Sequence, residues 1–199
     1  MSIINPQTKE INCKIVYYGP ALAGKTTNIQ ALQKKIQTKK TKEQTQMRTI
    51  SPRDRTLFFD FLALSSTKKI KDYRVNFQIY TVPGQVLYED SRKLLLNGVD
   101  GIIFVADSRL EYIEDSLQSL DELDMNLQKL GYSPAEIPRV IQYNKRDANT
   151  AARVEDLHDF LNPKNLPEFS TVASTGVGVV ECFEKLAHAV LQDLKTEAE

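Results

Sequence analysis

The chain has 199 residues, 41% of them hydrophobic and 26% charged, the composition of an ordinary globular domain that can bury roughly 70% of its unfolded surface. The 26 Lys and Arg balance the 26 Asp and Glu, so no net charge draws the chain to nucleic acid or to an acidic membrane surface, and neither is expected as a partner. Two cysteines, Cys13 and Cys182, cannot build a disulfide framework. No Cys/His cluster has zinc spacing, so both are expected as buried free thiols in a reducing compartment.

Met1 to Pro6 have neither a basic stretch nor an apolar core, so no secretory leader is expected. No stretch approaches the ~18 apolar residues of a membrane span. Position 2 is serine, and Lys195 to Glu199 contain no cysteine for prenylation. The expectation is a cytoplasmic protein without a covalent membrane anchor.

The first element, Ile11 to Tyr18, is β-branched and aromatic, ends at Gly19 and reads as a strand. Ile29, Leu32 and Ile36 have helical spacing and predict a helix from Thr26 to about Ile36. Residues 34–49 are rich in Lys, Thr and Gln, form no apolar face and are expected as a solvated connection. Thr56 to Leu62 and Tyr73 to Val82 read as strands, paired as an antiparallel hairpin across segment 65–72. A short helix is expected over Glu89 to Leu96. Gly101 to Ala106 is a continuous apolar run, as in a strand buried on both faces. A long helix over Glu111 to Leu130 has Ile113, Leu117, Leu120, Leu127 and Leu130 as its apolar stripe and Gly131 as its stop. Arg139 to Tyr143 is a strand, Val154 to Leu161 a helix and Ser170 to Ala173 a last short strand. Val179, Phe183, Leu186, Val190 and Leu194 mark the closing helix.

The alternation predicts an α/β fold in which residues 1–199 form one domain. Its central sheet is expected to be mostly parallel and six-stranded, with one antiparallel strand and helices on both faces. Ligands of such sheets sit at the carboxyl ends of the strands, and the motifs below all fall there.

Gly19-Pro20-Ala21-Leu22-Ala23-Gly24-Lys25-Thr26 matches GxxxxGK[ST] without a mismatch. In such a phosphate loop, backbone N–H groups of Gly19, Ala21, Leu22, Ala23, Gly24, Lys25, Thr26 and Thr27 can surround anionic phosphate at a helix N-terminus. Gly24 allows close approach, Lys25 reaches the outer phosphates and Thr26 offers its hydroxyl to Mg²⁺. The loop alone does not distinguish ATP from GTP. Asn144-Lys145-Arg146-Asp147 follows the strand ending at Tyr143. The Asp147 carboxylate can accept hydrogen bonds from N1–H and N2–H₂ of guanine, whereas adenine would leave it unpaired. The aliphatic stem of Lys145 can lie along the base. After the last strand, a backbone N–H within Ala173-Ser174-Thr175-Gly176 could meet guanine O6; a plain turn into the last helix is nearly as good a reading. The expected ligands are therefore GTP or GDP with Mg²⁺, and an adenine-specific ATPase is disfavoured by Asp147.

The segments Tyr17 to Pro20, Asp54 to Phe61, Tyr80 to Gln85, Gln142 to Asp147 and Thr175 to Val179 resemble the bacterial MglA family. Those are Ras-like small GTPases that set cell polarity and drive motility. The resemblance covers nearly the whole chain and is poorest at 34–49. It implies a slow GTPase switch, with Thr56 closing on Mg²⁺ and the γ-phosphate beside Thr26, and with Gly84 sensing that phosphate through its N–H. It further implies that Gln85 orients the attacking water and that Arg55 supplies a built-in arginine, next to Lys25 on the phosphates. Most Ras-like chains have Asp where Thr81 stands, so one negative charge beside the metal is missing. Asp60, on the preceding strand, is the candidate to replace it; an ordinary strand residue is the other reading. The resemblance also implies an activating partner, a homodimeric roadblock-domain protein like MglB, acting with a register shift of the second strand. It leaves effectors unknown and allows recruitment to a cell pole through partners. The alternative kept open by Thr81 is a nucleotide-dependent scaffold with negligible hydrolysis.

His158 and His188 lie far from these motifs and are expected as surface or structural groups. Asp115, Asp121, Glu122 and Asp124 are expected on a solvated helix face, and Lys34-Lys35 and Lys39-Lys40 in a solvated loop.

Overall fold

Strand formation follows from alternation. Ile11, Cys13, Ile15 and Tyr17 point to one side of their strand and Val16 and Tyr18 to the other, and all six are buried. The computed structural model describes residues 2–39, 45–48, 59–83 and 89–197. In chain order the elements are β1 (Ile3–Asn5), β2 (Glu10–Tyr18), α1 (Lys25–Lys39), β3 (Thr45–Arg48), β4 (Phe61–Ile70), β5 (Tyr73–Thr81), α2 (Glu89–Leu96), β6 (Gly101–Asp107), α3 (Ile113–Lys129), β7 (Arg139–Asn144), α4 (Val154–Leu161), β8 (Glu168–Ser170) and α5 (Val179–Glu197).

The strands lie in the order β3-β4-β5-β2-β6-β7-β8. β5, β2, β6, β7 and β8 run parallel, and β4 is antiparallel to β5. The six expected strands are therefore present, joined by two short ones, β1 and β3. β1 runs antiparallel along Glu10 to Asn12 of β2, a stretch that β6 leaves open because its own pairing with β2 begins at Ile15. One face of the sheet packs against α1 and α5 through Ile29, Leu32, Phe183, Leu186 and Val190. The other packs against α2, α3 and α4 through Leu95, Leu96, Leu123, Leu127, Leu157 and Leu161. Both cysteines are free and buried, as expected, and burial pushes the Cys13 thiol up to about 12.

Several expectations are corrected. The strand expected at 56–62 runs from Phe61 to Ile70, and residues 56–58 lie outside the described residues. The connection across 65–72 shrinks to the pair Lys71-Asp72, with Lys71 at φ +50°. Ser65 to Lys69 lack an apolar pattern, yet their backbone pairs with β5 as Ser65↔Asn76 and Lys69↔Arg74, with an irregularity between. Main-chain hydrogen bonds hold this half of the strand, and periodicity does not report them. Within 34–49, α1 continues to Lys39 and Thr45–Arg48 pairs antiparallel with β4; Lys and Gln are good helix formers without an apolar face. The last strand ends at Ser170 because the chain turns at Val172, where Val172 donates its N–H to Val177 and Gly176 donates to Val172. On α3 the deepest residues are Ser116, Ser119, Leu123, Asn126 and Leu127, while Ile113, Leu117, Leu120 and Leu130 pack at the margin. The small serines let the helix lie close to the sheet. Gly131 ends α3 in the left-handed region at φ +81°.

Candidate nucleotide-binding site

β2 ends at Tyr18, and residues 19–24 turn the chain into α1 at Lys25. Two glycines make the turn. Gly19 (φ +143°) passes so close to β6 that an added Cβ would stand 2.2 Å from the Val105 carbonyl oxygen. Gly24 (φ +100°) leaves room for the Asn144 amide, which a Cβ would meet at 2.4 Å. Asn28 donates its N–H to the Gly24 carbonyl (2.9 Å). The N–H groups of Lys25, Thr26 and Thr27 thus belong to the helix's first turn, which contains no acidic side chain. Lys25 is 7% exposed, and its ammonium donates to the carbonyls of Gly19 (2.8 Å) and Pro20 (2.6 Å). Burial, with the charge of Arg92 adding to it, pushes its pKa down to about 8. A buried ammonium whose partners among the described residues are carbonyls, beside a helix N-terminus, is a site for an anion.

Thr26 donates its hydroxyl to Asp60 Oδ2 at 2.5 Å. Asp60 precedes β4 and is held by Thr81 at the end of β5: its N–H donates to Thr81 Oγ1 (2.9 Å), Thr81 donates its hydroxyl to Asp60 Oδ2 (3.1 Å), and Thr81 N–H donates to the Asp60 carbonyl (3.0 Å). A hydroxyl and a carboxylate converge at the phosphate loop, the hard oxygen donors that suit Mg²⁺. Thr81 thus positions a carboxylate rather than carrying one.

On the base side, Asn144 is 2% exposed. Its Nδ2 donates to the Ala23 carbonyl (2.8 Å), and its Oδ1 accepts from Ala173 N–H (3.0 Å) and from the Thr171 hydroxyl (3.2 Å). One side chain therefore joins the phosphate loop to the loop after β8. Lys145 is left-handed (φ +64°) and donates to Asp107 Oδ2 at 2.7 Å. Asp107, 1% exposed at the end of β6, also accepts from Arg109 at 3.0 and 2.8 Å. Burial works against its charge, but the hydrogen bonds from Arg109 and Lys145 hold the carboxyl below its ordinary value. Arg109 stacks 4.0 Å from the Tyr112 ring centroid. Asp147 is exposed at the rim of this group. Ala173, Thr175 and Gly176 spend their N–H groups on Asn144 and Val172; among the described residues, the N–H of Ser174 makes no such bond.

Gly19, Ala21, Leu22, Ala23 and Gly24 lie in the loop and Lys25, Thr26 and Thr27 in the first turn of α1; Asn144 bonds the loop and Ala173, and Lys145, Asp147 and Ser174 stand next to these two in the chain. Arg55, Thr56, Gly84 and Gln85 lie outside the described residues. Sequence reading missed Asp107, whose only signal was its place at a strand's carboxyl end. It also missed Arg92, 3% exposed, which pairs with Glu122 and donates to the Pro83 carbonyl (3.4 Å). His158 is a structural group, bonded to Glu168 (2.9 Å). His188 is exposed on α5 beside Lys69, Ile70 and Lys195. Asp124 does not belong to a merely solvated face: it pairs with Arg139 and with Lys164 (2.9 Å). Among the described residues no helix is long and apolar enough to cross a membrane.

The profile of the ADP-ribosylation factor family matches residues 1–190. The mutual gliding-motility protein MglA of Myxococcus xanthus is 51% identical over 198 residues, covering 98% of each chain. The Ras-related protein Rab-2B of Dictyostelium discoideum is 26% identical over 134 residues, 66% of this chain and 64% of its own.

Proposed function

Since the chain belongs to the ADP-ribosylation factor family and is therefore a small GTPase, we propose that residues 1–199 form one domain that hydrolyses GTP slowly and switches cell polarity or motility. The observation that supports this reading most directly is the joint position of Lys25, the Thr26–Asp60 pair and Asn144 around one loop. Lys25 and the first N–H groups of α1 bind the outer phosphates. Thr26 and Thr56, with Asp60 behind Thr26, hold Mg²⁺; when bound, the ion neutralises charge on the phosphate oxygens. Asp147 accepts from the guanine edge, Lys145 is held by Asp107, and Ser174 N–H donates to O6. Gly84 donates to the γ-phosphate, Gln85 orients the water and Arg55 stabilises charge on the transferring group. A homodimeric roadblock-domain protein accelerates the step by helping to place Arg55 and Gln85, and partners recruit the cytoplasmic protein to a cell pole.

The test is single-turnover hydrolysis of loaded GTP, alone and with a roadblock-domain homodimer. The expected result is slow turnover alone, strong acceleration with the partner, and loss of that acceleration in Gln85→Leu. GTP that stays intact in both conditions would point to a scaffold that only binds nucleotide. An Asp147→Asn variant should shift preference toward xanthine nucleotides; unaltered guanine selectivity would overturn the base assignment.

A further inference from the structure

Beneath the nucleotide site lies a ring of buried hydrogen-bonding side chains in which Asn28, Gln142 and Thr171 join Asn144. Asn28 and Gln142 are both fully buried. Asn28, on α1, donates its Nδ2 to the Gly24 carbonyl at 3.0 Å. Gln142, on β7, donates its Nε2 to Asn28 Oδ1 at 2.5 Å and to Thr171 Oγ1 at 2.8 Å. Thr171, itself fully buried just after β8, donates to Asn144 Oδ1 at 3.2 Å. Asn144 closes the ring on the Ala23 carbonyl. The path leaves the phosphate loop at Gly24, crosses two strand ends and returns at Ala23.

The bonds fix one amide assignment, with Nδ2 of Asn28 turned to Gly24 and Nε2 of Gln142 turned to two oxygens, while among the described residues Gln142 Oε1 is buried without a partner. Burying two uncharged amides here serves no packing need that Leu could not meet, and buried polar groups are costly unless bonded. What the chain gains from them is a run of hydrogen bonds that joins α1 and the phosphate loop to the ends of β7 and β8.

We infer that Gln142 and Asn28 are positioning residues that tie the phosphate loop to the base-reading ends of β7 and β8, so that the two halves of the nucleotide site hold their bound geometry together and release nucleotide slowly. The inference rests on reading residues 19–27 and 144–147 as that site. The network adds a second link, parallel to Asn144, between loops whose separation would open the cradle. It acts on retention of base and phosphates together, not on the hydrolytic step.

The experiment measures release of a fluorescent N-methylanthraniloyl-GDP from the wild type, from Asn28→Leu/Gln142→Leu and from Thr171→Val, together with thermal unfolding of each nucleotide-free chain. The double variant refills the space with apolar groups, so its unfolding temperature should stay near wild type. Its release should nevertheless be at least about tenfold faster, a factor that corresponds to about 1.4 kcal/mol. Thr171→Val removes only the middle hydroxyl and should accelerate release several-fold; it serves if the double variant does not fold. Wild-type release rates in both variants would overturn the inference and leave the ring as core packing. A wild-type chain that retains no guanine nucleotide would instead overturn the reading of the site itself.

Discussion

The hydroxyl of Thr26 and the Oδ2 of Asp60, 34 positions apart in sequence, meet at 2.5 Å beside the phosphate loop. The contact exists because Asp60 stands beside Thr81, and Thr81 is the last residue of β5 to pair with β2, opposite Tyr17. Where related switches have a carboxylate at the position of Thr81, this chain has a hydroxyl that accepts from the backbone of Asp60 and donates to its side chain. The carboxylate bonded to Thr26 is that of Asp60, just before the neighbouring strand β4.

Asp60→Asn should therefore weaken Mg²⁺ retention by about 10- to 100-fold, the usual cost of losing a group that orients a metal ligand. GDP release measured against free Mg²⁺ reads this directly. An unchanged Mg²⁺ dependence would mean that Asp60 only anchors Thr26. Thr81→Val leaves the Asp60 N–H without its acceptor and should cost about 1–3 kcal/mol in urea unfolding.

Gly24→Ala places a methyl 2.4 Å from the Asn144 amide in a left-handed backbone. The loop must shift or Asn144 must let go, and equilibrium dialysis should show loss of GDP binding. Gly98 is also left-handed (φ +71°) but nothing lies within 4 Å of an added Cβ. Gly98→Ala should cost only the backbone strain, about 1–2 kcal/mol, and retain GDP normally. Equal GDP binding in the two variants would count against the close packing of Gly24 and Asn144.

Asp107 is buried under two cations, Lys145 and Arg109. Asp107→Asn keeps the shape and removes the charge that fixes Lys145. The loss of charged hydrogen bonds should cost on the order of 1–3 kcal/mol, and guanine nucleotide release should quicken while the phosphate loop's Mg²⁺ dependence stays as it was. Release at the wild-type rate would show that Lys145 needs no such support.

The His158–Glu168 pair predicts a specific pH profile. The hydrogen bond that protonated His158 donates to Glu168 raises the His158 pKa, so its stabilisation is complete below the unfolded value of about 6.5 and is lost as pH rises through the higher folded value. Burial pushes Glu168 up, but hydrogen bonds from Asn162, His158 and Tyr143 outweigh it and hold the carboxyl below its ordinary value. Its contribution is complete above about 4.3 and is lost as pH falls through the folded value. The gap in stability between wild type and His158→Gln should be widest between about pH 4.5 and 6.5 and should close above neutrality. A gap independent of pH, in urea titrations across that range, would show that the imidazole only packs.

The phosphate loop and the Asn144 to Asp147 turn were legible in the sequence because each is built from consecutive residues. Loop geometry depends on local glycines, and a strand before and a helix after are visible as short periodic runs. The same holds for the order of strands and helices, and for α2 and α4, whose bounds match the expected ones. Polar strand segments were not legible: Ser65 to Lys69 and Thr45 to Arg48 are held by backbone pairing to a neighbour, which leaves no apolar signature. Nor were the partners of the site residues. Asp60 beside Thr26, Asp107 beneath Lys145 and Gln142 against Asn28 are each set by strand order and register, which bring together side chains 34, 38 and 114 positions apart. Local pattern determined which groups could bind a nucleotide. Only the packing of the sheet decided which buried charges and amides hold them in place, because the free energy of those contacts exists only once distant strands are paired and water is excluded between them.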